Sequence, residues 1–376
     1  MWLLNSIYYI IPFIILLSIL VFVHEFGHFF IARLCGVHVS AFSIGFGKEL
    51  WGRTDKHGTK WKISAIPLGG YCQFLGDGDA SSSSTEGLDN LTDEQKKHAF
   101  AFQNPFKKLA IVLAGPGFNY LFAILIYFVL FASFGKFSIP PVVSEVMEGG
   151  AAKAAGILPG DRFVNINGIE VKEWGDISRE VLMDADHYVS IDIVRDGKPL
   201  HFDISLVEMD KEQIGKTTQK QYMLGVKSKS AVEFTYEKLS ISQAFIQSCA
   251  EVWDVTAMTL RGVGQMITGR RGSDDVGGII RIAEMTGDIT KNESFVDFIT
   301  FLALLSINLG LINLFPIPVL DGGHVVIFIL EIITGREINE KVKEYLFKAG
   351  FLLLVGLMIL ATKNDIVHLI NRLFNS

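Results

Sequence analysis

The chain has 376 residues, 49% of them hydrophobic, with a positive mean hydropathy, which argues against an ordinary soluble enzyme and for a protein with both membrane and aqueous parts. Its net charge is −6, and Lys and Arg are spread without a basic block, which argues against a nucleic-acid surface. Cys35, Cys72 and Cys249 lie too far apart for a thiolate zinc site or a disulfide framework and read as small fillers or free thiols.

The first uncharged run, residues 1–23, has no basic leader and no small-residue cleavage site, and it leads directly into His24-Glu25-Phe26-Gly27-His28. It is predicted to be retained as the first span, 1–34. Further apolar runs at 109–134, 298–320 and 345–362 approach or exceed the roughly 20 residues that cross a bilayer, the last of them if Lys348 snorkels. Four transmembrane helices are expected. Between the first two, 35–76 alternates polar and apolar residues with Gly and Pro punctuation and reads as short strands and turns. Gly45-Phe46-Gly47 lies in an apolar stretch just after the first span, where irregular backbone must be shielded by protein or line a wet cavity. The region 77–108 is a loop, mobile over its polar first part.

After the second span, 109–134, the segment 139–207 reads as a compact aqueous domain, with an Asn167-Gly168 turn and an Asp196-Gly197 hairpin between alternating strands. The region 234–296 is helical, moderately amphipathic around 239–267, and is expected to lie at the outer membrane surface. A third transmembrane segment, 297–324, a loop or helix at 325–344 and a fourth span at 345–363 complete the chain. Lys and Arg flank the inner ends of the first two spans, in 33–108, and recur at Arg336, Lys341, Lys343 and Lys348. Those loops are therefore placed in the cytoplasm, with both termini and the middle domain outside.

Chemistry concentrates on the spans. His24 and His28 are four residues apart, so a helix sets both imidazoles on one face, where they can share a zinc ion at about 2.0 Å. Glu25 leaves the helix in another direction and can reach a water on the metal as its base. Ionisable groups inside a span cost about 3 kcal/mol each on insertion scales, so their presence there points to function. A catalytic zinc needs three protein ligands and an open fourth position. Asp321, at the inner end of the third span, is a candidate for the third, and His324 competes by residue type. Pro316 and Pro318 prevent a regular helix beside it, leaving extended backbone with which a substrate strand could pair. Asn308 and Asn313 could bind substrate backbone there, or hold neighbouring helices together. Asn119, in Gly115-Pro116-Gly117-Phe118-Asn119, could orient a ligand, stabilise an oxyanion, or serve packing alone. A membrane adaptor with an idle metal site and a zinc transporter are the rival readings. The first is disfavoured by a three-ligand set with a base, the second by the lack of an internal repeat.

The His24-Glu25-x-x-His28 pentad, the Gly115-x-x-x-Asn119 element and the Asn313-x-x-Pro316-x-Pro318-x-Leu320-Asp321-Gly322 stretch together resemble the three membrane motifs of bacterial site-2 proteases, closest to the regulator of sigma-E protease group. The resemblance implies a polytopic α-helical membrane protein with a membrane re-entrant β element, 35–76, in which Gly45, Phe46, Gly47 and the strands through Tyr71 receive substrate. It implies an inserted α+β PDZ domain at 139–207, where the best-known members carry two, and a following helical region that helps gate access. It assigns His24, His28 and Asp321 to one Zn2+ per chain, Glu25 to the catalytic base, and Asn119, Asn308, Asn313, Pro316 and Pro318 to substrate binding. The implied partners are the lipid bilayer and single-pass membrane proteins already shortened by a first protease, such as anti-sigma factors or remnant signal peptides. The implied location is the bacterial inner membrane, with the active site toward the cytoplasmic side.

Overall fold

An apolar run without a polar stripe has no reason to break early, and the N-terminal segment forms one helix, α1 (Trp2–Leu34). The computed structural model describes residues 2–76, 91–183, 187–212, 218–228, 235–270, 276–292 and 294–374; the polar stretch 77–90, where a mobile loop is expected, lies outside them. After α1 come β1 (Val39–Thr54), β2 (Lys60–Phe74), α2 (Asp93–Lys96) and α3 (Pro105–Phe134). Next follow β3 (Lys136–Ser138), β4 (Val143–Val146), α4 (Ala151–Ala155), β5 (Arg162–Ile166), β6 (Ile169–Glu170) and α5 (Trp174–Met183). Six more strands continue the chain: β7 (Tyr188–Arg195), β8 (Lys198–Ser205), β9 (Val207–Glu212), β10 (Thr218–Met223), β11 (Val226–Ser228) and β12 (Thr235–Glu237). The helices α6 (Ile241–Ile267), α7 (Ile279–Asn292), α8 (Phe295–Asn313), α9 (Asp321–Thr334) and α10 (Glu340–Phe374) end it.

Among the described residues, four helices are long and apolar enough to cross a membrane: Tyr8–Leu34, Pro105–Phe134, Phe295–Asn313 and Glu340–Asn371. The third stops at Asn313, short of the apolar run, because residues 314–320 turn back through Ile317 N to Phe315 O (2.7 Å) and Leu320 N to Ile317 O (2.8 Å). Pro316 and Pro318 supply no amide to prolong a helix there. The fourth is longer than its apolar run, since a Lys348–Glu344 pair one turn apart (2.6 Å) supports its polar first turns.

The chain divides into two compact units, Met1–Phe128 with Ser248–Thr256 and Val276–Asp365, and Val129–Gln247 with Ala257–Asp275 and Ile366–Ser376. In the first, the antiparallel β1 and β2 bend on themselves. Ala41 is partnered by both Gln73 and Lys60, and Ile44 by both Gly70 and Ile63, while 49–54 pair with 60–64. Short segments therefore lie in the order 49–54, 60–64, 39–44, 70–74, which leaves 70–74 at a sheet edge. Phe29 and Ala32 of α1, Val39 and Phe42 of β1, Cys72 and Phe74 of β2 and Ile111 of α3 bury together and hold this sheet against the C-terminal end of α1. Asp365 of α10 accepts the amides of Gly278 (2.8 Å), Ile280 (3.0 Å) and Arg281 (3.2 Å), closing the start of α7.

The second unit has a four-stranded sheet in the order β6-β5-β7-β8, over which α4 and α5 bury Ala152, Ile177 and Val181 against Phe163, Ile166, Ile191 and Ile193. Its hairpin turns hold Asn167 (φ 53°) and Asp196 (φ 50°), each followed by a glycine of positive φ, as two-residue turns between twisted strands require. The packed body runs past Leu206, because β11 pairs with β4 and Leu224 is buried in the same core. Alternation alone did not mark so short a strand.

Candidate metal centre

The helix of α1 places His24 and His28 one turn apart on the same side, and both rings are buried. Asp321 arrives from the far end of the chain. It is the first residue of α9, where the helix dipole favours a negative charge. The turn 314–320 folds beneath it so closely that a Cβ on Gly322 would collide with the Leu314 and Phe315 carbonyls. This contact fixes where α9 begins and therefore where the carboxylate points.

Three atoms converge. His24 Nε2 lies 3.3 Å from His28 Nε2, and Asp321 Oδ2 lies 3.1 Å from the first and 3.5 Å from the second. Ligands about 2.0 Å from a tetrahedral zinc stand about 3.3 Å from each other, so the triangle has the size of one tetrahedral face. Asp321 Oδ2 is also buried with no hydrogen-bond partner among the described residues, despite its short distances to both rings. An anionic oxygen left that way carries a desolvation cost that a cation would relieve.

The outer edges of the rings are held too. His28 Nδ1 is 2.9 Å from the Ile111 carbonyl, which can only accept, so Nδ1 carries the proton and Nε2 presents its lone pair inward. Asn119, fully buried on α3, meets His24 Nδ1 at 3.1 Å through its amide nitrogen, while its amide oxygen has no partner. Metal on His24 Nε2 needs the proton on Nδ1, and turning the amide to offer its oxygen meets that need and gives the oxygen a partner. Ser306 of α8 donates to the Asn119 carbonyl at 2.8 Å and fixes that stretch of α3. Room for the two rings comes from Gly115, whose place no larger residue could take: a Cβ there would lie 2.9 Å from His24 Cε1 and collide with His28.

Among the described residues, His24, His28 and Asp321 form the one group of His, Cys, Asp or Glu atoms close enough to share a metal. They open on a cavity of about 270 Å³ also lined by Glu25, Gly70, Tyr71, Asn313 and His324. Of the residues read from the sequence as binding substrate, Asn313 lines this cavity. Asn119 sits behind His24, and Asn308, Pro316 and Pro318 belong to α8 and the turn after it, outside the lining. Gly45, Phe46 and Gly47 lie outside it as well, although Phe46 stacks on Tyr71, with centroids 6.0 Å apart. The resemblance placed the strands through Tyr71 in the substrate-receiving sheet without singling out the 70–74 edge, for which the Gly69-Gly70 pair ahead of Tyr71 was the available signal.

Residues 12–357 match peptidase family M50. The chain is 41% identical over 365 residues to a candidate zinc metalloprotease of Agrobacterium fabrum, covering 96% of each chain. It is 39% identical over 363 residues to a similarly named protein of Mesorhizobium japonicum, covering 95% of this chain and 98% of the other. It is 32% identical over 381 residues to the metalloprotease MmpA of Caulobacter vibrioides, covering 95% of each. Matched nearly end to end, and with a buried His-His-Asp triangle on its apolar helices, the chain belongs to peptidase family M50, the site-2 proteases, which are zinc metalloproteases that work by intramembrane proteolysis.

Proposed function

We propose that His24, His28 and Asp321 hold the zinc and that Glu25 is the general base for hydrolysis of a peptide bond within a transmembrane segment. The observation that carries this reading is the near-equal spacing of three ligand atoms around one point, with an unpartnered carboxylate oxygen among them. Zinc held by these residues would polarise a carbonyl as a Lewis acid and lower the pKa of water toward about 7. Glu25, adjacent to His24 but on another helix face, lines the same cavity without competing for ligation. It takes a proton from water and later delivers it to the leaving amine. Ile111 and Asn119 keep the two imidazoles in register, and the Asn313 amide binds substrate backbone that has given up its helical bonds.

In this reading β1 and β2 are the membrane re-entrant element. The segment 70–74 at the sheet edge, whose Gly70 and Tyr71 line the cavity, receives the substrate as an added strand, and Phe46 between Gly45 and Gly47 braces Tyr71. Asn308, Pro316 and Pro318 shape the opposite wall through the turn that presents Asp321. The domain at 139–207 is a single PDZ domain outside the membrane that screens substrates by the size of their outer parts. Basic residues around the inner loops favour both termini outside, in the bacterial inner membrane, with the active site on the cytoplasmic half. His24 lies about 14 Å of helix rise before Arg33, which suits that depth. The substrates are single-pass membrane proteins already cut once, of the anti-sigma-factor type, and remnant signal peptides.

Zinc content and cleavage of a model transmembrane substrate, measured together on purified protein, test the assignment. Wild type should hold one zinc per chain, His24→Ala and Asp321→Asn should lose it, and Glu25→Gln should keep it without cleaving. Cleavage by Glu25→Gln would remove that residue from the mechanism, and full zinc in His24→Ala would remove the triangle.

A further inference from the structure

We propose that His324 is a catalytic residue that donates a hydrogen bond to the substrate carbonyl oxygen as that oxygen gains negative charge. The proposal rests on the zinc and Glu25 reading above. His324 follows Asp321 by three residues on α9, so it lies about 4.5 Å further along the axis on the same side of the helix. Its ring lines the cavity that His24, Glu25, His28 and Asp321 share. It is not one of the three converging ligand atoms.

The ring is seated by aromatic contacts rather than polar ones. Phe347 of α10 stands 5.1 Å from it between centroids and Phe328 of α9 6.1 Å. Among the described residues no group hydrogen-bonds either ring nitrogen, and neither is sealed away as the Asn119 oxygen is. In a seat built of phenyl rings a phenylalanine would pack as well, so packing alone does not call for an imidazole there. A polar edge kept there has a use on its open side, and that side is the reacting cavity.

A neutral imidazole carries one N–H, and a fixed donor beside the scissile carbonyl strengthens as charge develops on the oxygen. The water oxygen bonds to the carbonyl carbon, and the π pair moves to the carbonyl oxygen, where His324 shares its hydrogen without giving it up. When the pair returns, the C–N bond breaks and the nitrogen leaves with the proton that Glu25 took from water. Asn313, on the same cavity, is left to hold the peptide backbone.

The test uses the full chain in detergent with the model transmembrane substrate, and compares His324→Phe, which keeps the aromatic seat, with His324→Gln, which restores a neutral donor. Both should hold one zinc per chain. His324→Phe should lower kcat about 100-fold with KM little changed, and His324→Gln should recover about tenfold of that loss. Wild-type kcat in His324→Phe overturns the proposal, as does loss of zinc, which would make the residue a ligand. A glutamine variant as slow as the phenylalanine variant also overturns it, since ring shape would then be what matters. Glu25→Gln and His24→Ala in the same series separate the two levels: if they are inert while His324→Phe is fully active, this proposal alone fails. If they cleave, the underlying assignment fails.

Discussion

Gly115→Ala adds one methyl group and should weaken the protein's hold on zinc. The new Cβ would lie 2.5 Å from His28 Cε1 and 2.9 Å from His24 Cε1, against an ordinary contact of 3.4–4 Å, and it would collide with the metal-facing nitrogen of His28. Relief requires an imidazole shift of about 1 Å, whereas ligand distances at a zinc site tolerate about 0.2 Å. Helix propensity works the other way, favouring alanine over glycine by about 1 kcal/mol. Overpacking in a filled core costs about 1–3 kcal/mol, so the fold should survive with little net change. The ligand geometry should not survive: a fall in zinc affinity of tenfold to 100-fold, about 1.4–2.7 kcal/mol, is expected from displaced orientation alone. Gly117→Ala is the matched control, two residues away on the same helix with nothing within 4 Å of its added Cβ. Zinc affinity by chelator competition, with cleavage rate in parallel, reads both. Wild-type affinity in Gly115→Ala, or equal losses in the two variants, would refute the claim that this glycine makes room for the rings.

Two further outcomes follow from contacts remote from the metal. Asp365→Ala removes the acceptor of three amides at the start of α7, those of Gly278, Ile280 and Arg281, so local opening of α7 should become easier by about 1–2 kcal/mol; hydrogen exchange of its first-turn amides should rise about fivefold to 30-fold while the second unit is unchanged. In the second unit, burial alone would raise the Asp161 carboxyl, but paired hydrogen bonds from Arg195 (2.6 and 2.7 Å) and the Leu158 amide hold it below the ordinary carboxylate range. Because the folded pKa lies below the unfolded value of about 3.9, the stabilisation is present above about pH 4 and is lost as pH falls through the folded value. Arg195→Ala should lower stability at neutral pH and flatten that acid dependence; pulse proteolysis from pH 7 to 3 would show it, and an unchanged profile would exclude the pair as its source.

Much of the centre can be read locally. The four-residue spacing of His24 and His28 needs nothing but a helix to bring the rings together, and the apolar length of each span follows from composition. Elsewhere local reading stops short. Asp321 and His324 are both ligand types that follow the prolines within a few residues, and α9's starting point separates them: one at the helix origin among the imidazoles, the other a turn away between phenyl rings. The 70–74 edge depends on Ala41 and Ile44 each taking two partners, which alternation does not encode. The membership of Leu224 in the second unit's core depends in the same way on the pairing of a three-residue strand.

By itself, then, the order of residues determined which segments are apolar, where helices must stop, and which side chains have the chemistry for zinc and a base. Tertiary structure decided which of those side chains meet. Periodicity acts over a few residues, whereas His28 and Asp321 are joined by turns, glycine contacts and a sheet whose register arises from packing between distant parts of the chain.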